Sequence, residues 1–217
     1  MKIGIIGSGH IGSTIGRLWA LAGHDVCYGS RHPDELRRRL SVQSVAALVG
    51  TAEDAATFAD VLFAAVPYGS WPDLASGIGP ALAGKVVMDA ANPYPQRDGA
   101  FAQQAIDAGE GAGVPIAALI PGARLVRAFN SVFWRLLESE AHRAGERVGI
   151  PLAGDDETAL EVASRLVTDA GFEPVIVGPL LRARDFDPGS RVYNTGMTAA
   201  QLRAAMGLEP PDLGVGR

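Results

Sequence analysis

The chain has 217 residues, 47% of them apolar, enough for one substantial core with a small appendage rather than two full domains. A net charge of −5 and a pI near 5.4 argue against a nucleic-acid surface, and the short basic run Arg37-Arg38-Arg39 reads as a solvated helix face. The single cysteine, Cys27, excludes an internal disulfide framework and is expected to be a small buried hydrophobe. With no leader-like segment before Lys2 and no apolar run long enough to span a bilayer, the expectation is a cytoplasmic protein without a membrane partner.

Residues Lys2 to Ile6 read as a short apolar strand, followed by Gly7-Ser8-Gly9-His10-Ile11-Gly12 and an amphipathic, helix-like run. Strand, Gly-x-Gly-x-x-Gly loop and helix in that order are the fingerprint of a dinucleotide site. Gly7 would make the tight turn, Gly9 would let backbone approach a pyrophosphate, and Gly12 would bring helix close to strand. The pyrophosphate would rest on the unpaired N–H groups and positive end of the helix.

His24 to Tyr28 reads as a second strand ending at Gly29-Ser30-Arg31, about twenty residues after the glycine loop, where the adenine ribose is read. An acid there would hold a 2′-hydroxyl. Ser30 and Arg31 instead suit a 2′-phosphate, so NADP is favoured over NAD; the plainer alternative is that Arg31 caps a surface turn before the helix opened by Pro33.

Further on, Val61 to Val66, Lys85 to Asp89, Arg124 to Ala128, Val148 to Leu152 and Pro174 to Val177 are apolar runs of the kind that form buried parallel strands. Helical patterns cover Thr51 to Ala59, Ser70 to Ile78, Ser131 to Glu140 and Asp155 to Ala170, and Thr198-Ala-Ala-Gln201 forms a capping box that opens a helix through Met206. The stretch Asn92 to Gly113 is the least regular. The expected fold is α/β, a doubly wound, mostly parallel Rossmann sheet with a small C-terminal helical cap. Residues 1–180 would form the NADP-binding domain and 181–217 an extension packing on it or on a partner subunit.

In such a sheet, ligands bind beyond the carboxyl ends of the strands. Ala65-Val66-Pro67 would line the ribose and nicotinamide side, and Asn92 would fix the carboxamide or order its loop; Asn92 and Asn130 read equally well as turn caps. Tyr68 and Tyr94 are open between loop anchors and substrate contacts.

Gly7-Ser8-Gly9-His10-Ile11-Gly12, Gly29-Ser30-Arg31, Ala64-Ala65-Val66-Pro67, Ala128-Phe129-Asn130 and Ala153-Gly154-Asp155-Asp156 resemble, in order and spacing, the NADP oxidoreductases dependent on coenzyme F-420. The wider group includes the cytoplasmic domains of membrane ferric reductases. The resemblance extends to about Pro179. It implies a homodimer with NADPH on the glycine loop, Ser30 and Arg31 on the 2′-phosphate, and a flat deazaflavin on the nicotinamide. The chain departs from the family at Glu35, where a lysine is frequent, leaving Arg37 or Arg38 as substitutes, and at His10, where Asn is usual.

Hydride transfer between two flat carriers needs stacking and exclusion of water more than an acid or base. Lysine occurs only at Lys2 and Lys85, so no helix-borne catalytic lysine is available. His142, in a Glu/Arg-rich stretch, reads as solvated. No His/Cys/Asp cluster has metal-ligand spacing, and no catalytic side chain can be assigned. The leading expectation is hydride transfer between NADPH and a flat carrier such as coenzyme F-420. The alternatives are an NADPH reductase acting on a flavin, a quinone-like acceptor or a small imine or carbonyl, and a non-catalytic NADP(H)-binding sensor or scaffold.

Overall fold

In chain order β1 (Lys2–Ile6), α1 (His10–Leu21), β2 (Asp25–Gly29), α2 (Pro33–Val42), β3 (Leu48–Gly50) and α3 (Ala52–Phe58) make the first half of a doubly wound unit. The computed structural model describes residues 1–42 and 47–209, so the last residues of the expected C-terminal extension, 210–217, lie outside the described residues. Next come β4 (Val61–Ala64), α4 (Trp71–Leu82), β5 (Val86–Asp89), α5 (Pro95–Ala108), α6 (Gly113–Leu119) and β6 (Arg124–Arg127). The chain continues through α7 (Trp134–Ser139), β7 (Gly149–Gly154), α8 (Glu157–Asp169), β8 (Glu173–Gly178) and α9 (Ala199–Met206). Among the described residues, eight strands form one sheet in the order β3-β2-β1-β4-β5-β6-β7-β8.

Alternation along each strand supplies two cores. Ile3 and Ile5, Val26 and Tyr28, Val61 and Phe63, and Val86 and Met88 face a layer containing Ile15, Leu18, Trp19, Leu36 and Ala163, contributed by α1, α2 and α8. Ile6, Cys27, Leu62, Ala64 and Val87 face Ala55, Trp71, Ile78, Ala102 and Ile116 from α3 to α6. Both faces are covered, which is why these strands are apolar throughout rather than half polar. Trp19, Phe63, Phe129 and Phe172 meet edge to face at centroid distances of 5.2–6.1 Å, and the Trp19 indole N–H donates to the Leu166 carbonyl, tying α1 to α8.

Three local expectations need correction. The irregular-looking stretch from Asn92 to Gly113 contains α5: Pro95 starts it, the Asp98 carboxylate accepts the Tyr94 N–H, and Gly99 (φ +67°) kinks it. Helix α7 begins only at Trp134, because the turn before it holds Phe129 in the left-handed region (φ +62°) with its ring in the core. The strand expected at Val148 to Leu152 does not continue the parallel series. β7 pairs antiparallel with β6, Val126 opposite Gly154, and β8 runs parallel to β7, so both are reversed relative to β1–β6.

That reversal decides where the site lies. The carboxyl ends of β1, β2, β4, β5 and β6 share one rim, whereas Gly154-Asp155-Asp156 emerges at the other. There Asp156 caps α8 through the Ala159 N–H and Asp155 accepts from the Leu180 N–H, both structural duties. Residues after β8 lie on this same sheet: Phe186, Val192, Ala199 and Leu202 pack with Ala153, Val175 and Val177.

Candidate functional site

The glycine loop has three different environments. Gly7 sits at φ +98°, and a Cβ there would come within 2.3 Å of the Ala65 carbonyl. A Cβ on Gly12 would come within 1.9 Å of the Gly7 carbonyl, so α1 starts hard against the loop. Above Gly9 there is no atom within 4 Å. Gly9 is also the N-cap of α1, without a side-chain cap and without an acid in the first turn, which leaves the N–H groups and the positive end of the helix for an anion. These features fit a dinucleotide pyrophosphate.

A cleft of about 860 Å³ opens over this loop, a size typical of small-molecule and cofactor sites. One end is built from Ser8, Ser30, Arg31, Glu35 and Arg39; the other runs along Ala65-Val66-Pro67 at the end of β4 and then along α4. Ser30 Oγ accepts the His32 N–H at 3.0 Å, which sets the turn from β2 into α2 and leaves the Arg31 side chain exposed. Among the described residues Arg31 makes no ion pair. Thr51 and Glu53 enter the opposite wall, where a capping box between Thr51 and Asp54 starts α3; those paired hydrogen bonds hold the Asp54 carboxyl below its usual range.

Several expected residues lie outside the wall of the cleft. Ile11, the second residue of α1, packs partly buried against the core. The His10 ring is stacked on Trp134 at 3.9 Å, joining the starts of α1 and α7. Tyr68 is wholly buried, its hydroxyl donating to the Ala112 carbonyl and its ring stacked on Phe101, so it is a loop anchor. His142 is exposed.

Asn92 belongs to a buried polar cluster at the ends of β5 and β6. Its Nδ2 donates to the Asn130 carbonyl (2.7 Å) and the Tyr193 hydroxyl (3.2 Å), and its Oδ1 accepts from Arg127 (3.3 Å) and Asn130 (3.2 Å). At the centre the fully buried Arg127 guanidinium pairs with Asp89 and, at 2.8 Å, with Asp187. Trp71 Nε1 donates to Asp89 at 2.9 Å, and the Ala112 N–H to Asp187 at 2.7 Å. Burial pushes the Asp89 carboxyl up, against the pull of Arg127, Trp71 and the Ala91 N–H. Burial would lower Arg127, yet Asp187 and Asp89 together hold it firmly protonated. Tyr193 reaches the rim, where its hydroxyl meets that of the exposed Tyr94.

Residues 2–93, from β1 to the end of β5 and its loop, match the family described as NADP oxidoreductase coenzyme F420-dependent. The F420-dependent NADP reductase of Methanothermobacter thermautotrophicus is 30% identical over 226 aligned positions, covering 93% of this chain and 96% of the relative. The chain belongs to this family. It is on that basis an NADP-dependent oxidoreductase. The metalloreductase STEAP3 of Rattus norvegicus is 29% identical over 86% of this chain, but the chain spans only 36% of that protein. A hypothetical protein from Sinorhizobium meliloti has the same architecture, with a TM-score of 0.77 at 25% identity over 91% of this chain and 95% of that one. No helix among the described residues is long and apolar enough to cross a membrane, and no group of metal-ligating side chains is found among them.

Two parts of the site are invisible to a motif reading. Arg39 enters the cleft wall through the helix face it shares with Glu35 and Leu36, a periodicity present in the sequence. Arg127 carried its own signal, a charged residue between Val126 and Ala128 in a buried strand, which calls for buried acids to pair with it. Asp187, sixty residues away, could not be chosen from spacing.

Proposed function

We propose that this enzyme binds NADPH along the cleft and passes its hydride to a flat carrier such as the deazaflavin coenzyme F-420. The observation that supports it most is one cleft combining an uncapped, glycine-walled helix start with Arg31, which makes no ion pair among the described residues, at the ribose end. Gly7, Ser8, Gly9, His10, Ile11 and Gly12 shape and present the N–H groups for the pyrophosphate. Ser30 and Arg31 take the 2′-phosphate by charge-assisted contacts. Ala65, Val66 and Pro67 form the apolar wall that keeps water from the nicotinamide, and Asn92 acts from behind by fixing the loop after β5. NADPH, when bound, supplies the hydride; the protein's part is orientation and desolvation.

The Tyr94–Tyr193 hydroxyl pair favours a second reading, in which a small imine or carbonyl is reduced and a proton is delivered at the rim. Following NADPH oxidation at the nicotinamide absorbance with coenzyme F-420, free flavin, a cyclic imine and no acceptor separates the two. Turnover with F-420 well above every other acceptor is expected. Turnover confined to the imine would replace the carrier reading.

A further inference from the structure

The three consecutive arginines of α2 have different surroundings. Arg37 is neutralised: its Nη1 donates to Asp34 at 2.6 Å and its Nη2 to the Val49 carbonyl at 3.0 Å. Arg38 lines a smaller recess that adjoins the main cleft and shares Arg31, His32, Pro33 and Glu35 with it. Arg39 lines the main cleft, donates one Nη2 N–H to the Ser8 carbonyl of the glycine loop, and makes no ion pair among the described residues. Neither residue expected to replace the family lysine therefore enters the main cleft.

We propose that Arg39 is the second cation of the 2′-phosphate subsite, a specificity residue working with Arg31; the inference rests on the NADPH reading above. The carbonyl of Ser8 fixes the guanidinium at the ribose end of the cleft, and its remaining N–H groups have no partner among the described residues. A guanidinium offers five donors in a rigid fork, so one can be spent on a carbonyl while others meet a phosphate. Arg31 approaches from the β2–α2 turn and Arg39 from nearly two turns along α2, so the dianion would be bracketed rather than touched from one side. Glu35 lines the same wall, and its negative charge would oppose a dianion there, an opposition that a second cation would offset.

Arg39 is exposed, so its replacement tests binding without breaching the core. Calorimetric titration with adenosine 2′,5′-bisphosphate and with 5′-AMP reads the subsite in isolation. Arg39→Gln is expected to weaken the bisphosphate roughly tenfold and 5′-AMP less than about twofold, with Arg39→Lys in between. Equal losses for both nucleotides would make Arg39 a prop for the glycine loop, and no loss would remove it from the site; either result overturns the inference. Arg31→Ala runs alongside. If Arg31→Ala lowers bisphosphate binding selectively while Arg39→Gln does not, only the role of Arg39 fails. If the unmodified protein does not prefer the bisphosphate, the NADPH reading fails with it.

Discussion

Two glycines three residues apart carry opposite constraints, and substitution should separate them. Gly9→Val puts a branched side chain into open space above the loop, so the thermal melt should stay within about 2 °C of the parent while NADPH binding is lost by calorimetry. Gly12→Ala is the smaller chemical change, yet its methyl meets the Gly7 carbonyl, and it should cost about 1–3 kcal/mol of stability as an overpacked site. A Gly9→Val protein that still binds NADPH, or a Gly12→Ala protein that melts like the parent, would break the assignment of the loop. Glu35→Lys should act in the other direction. Replacing the carboxylate beside Arg31 and Arg39 with a cation is expected to tighten NADPH by about fivefold to twentyfold with NADH unchanged, as measured by competitive titration.

At the level of elements, the structure shows what residue patterns can and cannot convey. Strands β1, β2, β4 and β5 were legible because their alternating apolar residues feed cores on both faces, and α8 and α9 because Asp156 and the Thr198–Gln201 box mark their starts. Helix α5 was hidden by composition: its Pro, Gly and Gln residues carry a loop signature, and the short-range polar bonds that hold its start leave no mark in the apolar periodicity. Asp98 is the clearest case, with its side chain almost wholly buried, joined by Arg97 at 2.8 Å and accepting the Tyr94 N–H at 3.0 Å. Burial raises its pKa, but the bonds from Arg97, Tyr94 and Gly69 outweigh burial and hold it below the ordinary value near 3.8. A carboxyl lowered in the folded state stabilises the fold at pH above its unfolded value, and that contribution disappears as pH falls through the folded value. Stability should therefore decline steeply below about pH 4, and Asp98→Asn should flatten that limb while lowering the plateau at pH 7 by about 1–2 kcal/mol. Urea melts at pH 3, 4, 5 and 7 would show it; parallel curves for parent and variant would contradict the assignment.

Across the whole molecule, the reversed pair β7–β8 leaves the segment after β8 free to return to the rim formed by β1–β6. Antiparallel pairing of β6 and β7 was not readable, because direction is set by how the chain crosses the sheet and not by the side chains of either strand. Asp187 is the point of return: its carboxylate takes the Ala112 N–H at 2.7 Å, Arg127 at 2.8 Å and Asn130 at 3.1 Å. One side chain thereby fastens the C-terminal segment to the approach to α6, to β6 and to the turn after it. Asp187→Ala would leave the buried Ala112 N–H unpaired and Arg127 with Asp89 as its remaining carboxylate. Removing one partner of a buried ion pair costs about 3–5 kcal/mol. At about 2–4 °C per kcal/mol for a chain of this size, the melting temperature should fall by roughly 6–20 °C. Asp187→Asn keeps a neutral acceptor for the Ala112 N–H and should fall by about half as much. The effect should stay local, because Arg31 and Arg39 stand beyond β1 and β4 at the other end of the rim. Binding of adenosine 2′,5′-bisphosphate should then be unchanged below the melt, while NADPH, whose nicotinamide end the proposed binding mode places near Asn92, should weaken. Bisphosphate and NADPH affinities falling together would show that Asp187 supports the whole cleft; a melt within 2 °C of the parent would show that it fastens nothing.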